Sequence, residues 1–147
     1  MNVRDKASLF RLSYAFLRRF AVITVPGLAD GDLKTLVSVR AAGVDEETRN
    51  LAHRAFSRQH GFGRFVELGP SMLLDVIAYA VERGKGPSRG VGEGFEMLVF
   101  PQLEGLGDAQ AREADALIEA LFGGDEGLVR QLRTSFRAGF PHLWSNG

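Results

Sequence analysis

Two adjacent arginines, Arg18 and Arg19, close a stretch in which Leu9, Leu12, Phe16 and Phe20 recur at helical spacing. A guanidinium stays charged and presents a rigid fork of N–H donors. Such a group pairs bidentately with phosphate or carboxylate oxygens. The plainer alternative is that both arginines simply favour the negative end of the helix dipole. Gly84-Lys85-Gly86 invites comparison with a phosphate-cradling loop. That pattern needs a glycine five residues before the one preceding lysine, and Ser or Thr after the lysine; Tyr79 and Gly86 stand there instead. The glycine-rich segment 84–94 accordingly reads as a mobile loop. His53 and His60 lie two helical turns apart, too far for an i, i+4 zinc pair, and His142 sits alone in the tail, so no metal site is expected. Arg49, Arg54, Arg58 and Arg64 make a basic side to a helix over 46–60, which reads by default as a solvated face.

The elements that would carry these residues are mostly helical. Ala21 to Val25 is short, rich in β-branched residues and bounded by Pro26-Gly27, which reads as one buried strand. No second strand is legible after residue 27, so that strand's ladder partners must come from elsewhere. Asp30 or Asp32 can cap a short helix carrying Leu33, Leu36 and Val37, and Asp45 caps the next, which Gly61 ends. Gly69-Pro70-Ser71 opens a helix that is apolar nearly all round and is expected to be the most buried. It stops at Gly84. A helix over Phe95 to Leu106 is kinked or split by Pro101. Asp108 and Asp125 begin two amphipathic helices, and Phe140 and Trp144 form an aromatic tip that can pack back.

Three segments resemble a known family. Met1-Asn2, then Asp5, then Tyr14-Ala15-Phe16-Leu17-Arg18-Arg19-Phe20 followed by the apolar run to Val25 resembles the AAA+ ATPases of the dynein-related branch. That branch includes MoxR-like chaperones and the motor of methylation-dependent restriction systems. Glu67-Leu68-Gly69-Pro70-Ser71 to Asp75 resembles the start of the lid helix carrying the sensor-2 position, and Phe100 to Leu106 resembles a later lid segment. The resemblance implies that Asn2 ends a central strand and orients the attacking water. It also implies that Arg18 or Arg19 is the arginine finger reaching a neighbouring subunit's nucleotide, with Pro70 and Ser71 near the phosphates. The branch often has arginine where Ser71 stands, and Arg64 nearby is a substitute. The expected fold is thus mainly α. Residues 28–147 form a lid-like helical bundle, preceded over 1–27 by a helix–strand remnant of the α/β nucleotide-binding core. Met1 is then expected to lie inside a longer reading frame.

With neither a phosphate loop nor paired magnesium-holding acids in its 147 residues, the chain alone is expected to bind no cofactor and to hydrolyse nothing. ATP with magnesium would be engaged only in an intact parent or in trans. The implied partners are other AAA+ subunits in a ring, together with a protein client. The alternative is a standalone helical adapter that docks on a complete ring. Eighteen basic and eighteen acidic residues cancel, which argues against nucleic acid or an anionic membrane as partner. No cysteine, no signal-like N-terminus and no apolar run of membrane-spanning length fit a cytoplasmic protein.

Overall fold

The computed structural model describes residues 28–144. They form seven α-helices and two short 3-10 turns around one continuous core, with no strand among the described residues. The expected strand over 21–25 and the helix before it lie outside them.

Helix α1 (Asp30–Arg40) has Leu33 and Val37 inward, one turn apart. Of the two expected capping acids, Asp32 accepts from the Ala29 N–H at 3.3 Å. Asp30 instead reaches a distant partner: its carboxylate accepts from Ser57 Oγ at 2.6 Å and from the Arg58 N–H at 3.0 Å. His53 Nε2 adds a bond to the Asp30 carbonyl at 2.9 Å, and must be the donor because a carbonyl only accepts. This joins α1 to the C-terminal end of α2 (Glu46–Phe56), which Asp45 caps through the Thr48 N–H at 2.8 Å. The α2 helix stops at Phe56, short of Gly61. Gly61 serves close packing instead, since a Cβ there would lie 2.4 Å from the Arg54 and Ala55 carbonyl oxygens. A 3-10 turn, Phe62–Arg64, follows.

Helix α3 (Pro70–Arg83) begins at Gly69-Pro70 and ends at Gly84, whose φ of 60° is the left-handed cap that glycine adopts without a Cβ clash. It buries Leu73, Val76, Ile77 and Ala80 but leaves Val81 exposed. The expectation that it is the most buried element is therefore corrected, and so is the expected mobile loop. Residues 87–98 form helix α4, with every residue from Gly90 to Phe95 buried. A Cβ on Gly90 would sit 2.9 Å from Ala80 Cα, and one on Gly94 would lie 3.2 Å from Val76 Cγ1. These two, one turn apart, let the backbones of α3 and α4 approach closely. Gly92, on the opposite side, admits Leu128 and Leu132. Glycine costs about 1 kcal/mol per helical position relative to alanine, and burial of the helix on both sides offsets it.

Pro101 does split the next segment: α4 ends at Leu98 and a 3-10 turn spans Phe100–Leu103. Helix α5 (Asp108–Phe122) starts from Gly107, whose N–H is taken by Gln110 Oε1 at 3.4 Å, so Asp108 is the first helical residue and not the cap. Asp125 caps α6 (Glu126–Ala138) through the Leu128 N–H at 2.9 Å. A last turn, α7 (Pro141–Trp144), folds back so that Phe140 and Trp144 meet Phe136 at ring distances of 5.1 and 6.3 Å. Phenylalanine rings run through the core in file. Phe56 and Phe62 both meet Phe95, at 5.1 and 5.4 Å, and Phe62 leads through Phe100 to Phe136.

Candidate functional site

Three sequence-predicted site residues fall within the described region: Pro70 and Ser71 at the start of α3, and Arg64 on the preceding 3-10 turn. Gly69 is extended, with φ −73° and ψ 151°, and Pro70 occupies the first helical position, where its missing N–H costs nothing. No side chain caps this end and no acid lies in the first turn. Pro70 has no N–H and the Met72 N–H is taken by the Gly69 carbonyl at 3.1 Å, so the Ser71 N–H is what the positive end of the dipole offers an anion. Pro70 and Ser71 are exposed. Arg64 lies on the 3-10 turn, its guanidinium 4.9 Å over the Phe65 ring and ion-paired with Glu113 of α5. No hydrogen bond joins Arg64 to Ser71. For Arg64 to hold phosphate, the anion must displace Glu113. The pair is exposed on both sides, and such pairs contribute only about 0–1 kcal/mol. Asn2, Arg18 and Arg19 lie outside the described residues.

The basic side expected on α2 breaks up in space. Arg58 pairs with Glu67 at 3.5 Å, and Arg64 with Glu113. Arg54 remains exposed, while Arg49 turns partly inward. Arg54 borders an open groove between α2 and α5. This groove of about 610 Å³ is lined by Glu46, Glu47, Asn50, Leu51, Ser88, Leu121 and Gly124, and carries both signs of charge. Such a mixture marks no ligand class.

Glu93 and Asp115, the buried carboxylates among the described residues, were not legible as such in the sequence. Glu93, in the middle of α4, receives Arg83 Nε at 2.8 Å and Lys85 Nζ at 3.4 Å. Burial pushes its carboxyl up, but Arg83 and Lys85 together outweigh that and hold it below the usual range. Asp115 of α5 takes both Arg137 Nε and Nη2, at 2.7 and 2.8 Å, with Arg133 Nε at 3.4 Å. Asp125 is held below its ordinary value by the Leu128 N–H and by Arg89, whose Nη2 lies 2.7 Å away. Each acid is engaged by cations or backbone N–H groups, so these three sites pin helices together. Asp30 belongs with them. Burial raises its carboxyl, but the Arg58 N–H, the Ser57 hydroxyl and His53 bring it lower than usual. Only the spacing of Arg83, Lys85 and Glu93 could have hinted at the first of these clusters.

His142 Nε2 lies 3.1 Å from Asp108 Oδ1 and His53 is bound to Asp30, while His60 is exposed. No group of three metal-ligating side chains occurs among the described residues. No helix among them is long and apolar enough to cross a membrane. Residues 28–144 thus belong to the class of all-helical bundles. Comparisons with protein-family models, with curated proteins and with solved structures found no significant match.

Proposed function

We propose that the chain is the C-terminal part of a ring-forming AAA+ ATPase of the dynein-related branch. Arg18 or Arg19 acts as the arginine finger toward a neighbour's nucleotide, and the helices from residue 28 onward act as the lid. The observation that carries this reading is the order of features. An Asn-led segment ends in the arginine pair, an apolar run closed by Pro26-Gly27 follows, and then comes an all-helical body whose Gly69-Pro70 helix offers an uncapped positive end. A finger of this kind contributes about 10³–10⁵ to the rate of phosphoryl transfer in its ring. ATP with magnesium is the cofactor of the assembled ring, and ring neighbours and a protein client are the partners. The chain itself has no loop to hold the β- and γ-phosphates, so its own grip on nucleotide is weak. Its work is then to close over nucleotide held mainly by other residues and to report the hydrolysis state to the next subunit.

The test is a titration of the isotope-labelled chain with Mg–ATP followed by NMR. The expected result is binding no tighter than about millimolar, with resonance shifts gathered at Arg64 and at Gly69 to Met72. Micromolar affinity would overturn the argument from the missing loop. Saturation without any shift at Gly69 to Met72 would overturn the lid assignment.

A further inference from the structure

The grooves of the helical body differ in charge. Those beside Arg54 and beside Lys34 carry both signs, and so does the one that Glu119, Glu126, Arg130 and Arg133 line. Another groove, between the end of α4, the 3-10 turn after it and the end of α6, carries one sign only. Its charged side chains are Glu96 and Glu104, and Phe100, Pro101, Phe136 and Phe140 make up its apolar part.

Neither acid has a cation within ion-pairing distance among the described residues. Glu96 accepts from a neutral group, the Gln131 amide at 2.6 Å, through one of its two oxygens. Arg137, next to Phe136 in sequence, is taken by Asp115 at 2.7 and 2.8 Å and does not line the groove. The lining also includes Ser135, Ala138 and Gly139, which are the C-terminal end of the 13-residue helix α6. That end is the negative pole of the helix dipole. The Gly139 N–H turns back to the Phe136 carbonyl at 3.1 Å, so the Ser135 carbonyl receives no bond from the following turn. Two carboxylates and a helix end therefore act together beside an apolar floor, and the field they make favours a cation and disfavours phosphate.

We propose that this groove docks a segment of a partner protein that carries an arginine or lysine beside an apolar side chain. The cation meets Glu96, Glu104 and the end of α6, while its hydrocarbon stem and the apolar neighbour lie against Pro101 and the phenylalanines. The proposal is independent of the ATPase reading. Its test is an NMR titration of the labelled chain with the blocked tripeptide acetyl-Leu-Arg-Leu-amide, and in parallel with acetyl-Leu-Gln-Leu-amide, at fixed low ionic strength. Expected are saturable shifts at Glu96, Glu104, Ser135 and Gly139, with Gly69 to Met72 unmoved and the glutamine peptide weaker by about fivefold or more. Glu104→Gln, a change at an exposed position, should weaken the arginine peptide by about two- to fivefold. Joining Glu96→Gln to it should bring the two peptides within about twofold of each other. Shifts that do not saturate, or that gather elsewhere on the chain, would overturn the groove as the site. Equal binding of the two peptides to the unaltered protein would overturn its preference for a cation. A preference for arginine that survives in the double variant would overturn the role given to Glu96 and Glu104.

Discussion

Helices α3 and α4 lie side by side with nearly opposite compositions. The first carries bulky apolar residues around most of its circumference, yet buries one stripe, Leu73, Val76, Ile77 and Ala80, and leaves Val81 54% exposed. The second has three glycines within twelve residues and is enclosed from Gly90 to Phe95. Burial here follows how closely a backbone can be approached, and not how much hydrocarbon a helix offers. Gly90 and Gly94 admit α3, Gly92 admits the leucines of α6, and Phe95 puts a large ring where the file of phenylalanines converges.

This contrast can be broken or sharpened by four substitutions, measured as changes in unfolding free energy. Phe95→Ala removes the ring shared by Phe56, Phe62 and Phe122, and should cost about 3–5 kcal/mol. A loss below about 2 kcal/mol would mean that the core collapses around the gap and that α4 is not its centre. Gly90→Ala comes next. It improves intrinsic helix propensity by about 1 kcal/mol, yet its Cβ meets Ala80 backbone at 2.9 Å. A net loss of about 1–3 kcal/mol is expected. A raised melting temperature would show that α3 can draw back and that the glycines are not required there.

Glu93→Gln leaves Arg83 and Lys85 without their shared charge and should cost about 1 kcal/mol near neutral pH. Its sign with pH follows from the lowered folded-state pKa of Glu93. The stabilisation is fully present above the unfolded-state value of about 4.3 and is lost as pH falls through the lower folded-state value. The variant and the parent should therefore converge in acid below about pH 4. A gap that stays constant down to acid would mean the pair contributes packing and not charge. Val81→Ser, on the exposed face of α3, should stay within about 0.5 kcal/mol of the parent. A larger effect would show that this apolar face is covered in solution.

How much of this was legible in the sequence depended on the range of the interaction. The caps at Asp45 and Asp125 and the stop at Gly84 are local, and each was readable from a residue and its near neighbours. The stripes of α5 and α6 followed from periodicity for the same reason. Helix α4 was not readable, because a glycine counts as a breaker until a second backbone is known to lie against it. Asp30 misled in a similar way: its position suits a cap, but Ser57 and Arg58 compete for it from another helix. At the candidate site, the helix start at Gly69-Pro70-Ser71 could be read, but not that it is exposed and uncapped. The Glu113 carboxylate that engages Arg64 could not, since 49 residues separate the pair.

The folded-back C-terminal turn gives the protein its own optical probe. Trp144 is the only tryptophan in the sequence, and its indole lies beneath the Arg137 guanidinium at 5.2 Å and edge-on to Phe136 and Phe140. Emission from that single ring reports whether the turn is docked, while far-UV dichroism reports the bundle. A red shift that precedes the loss of helix on heating would identify the last turn as a separately fraying latch on an otherwise intact body.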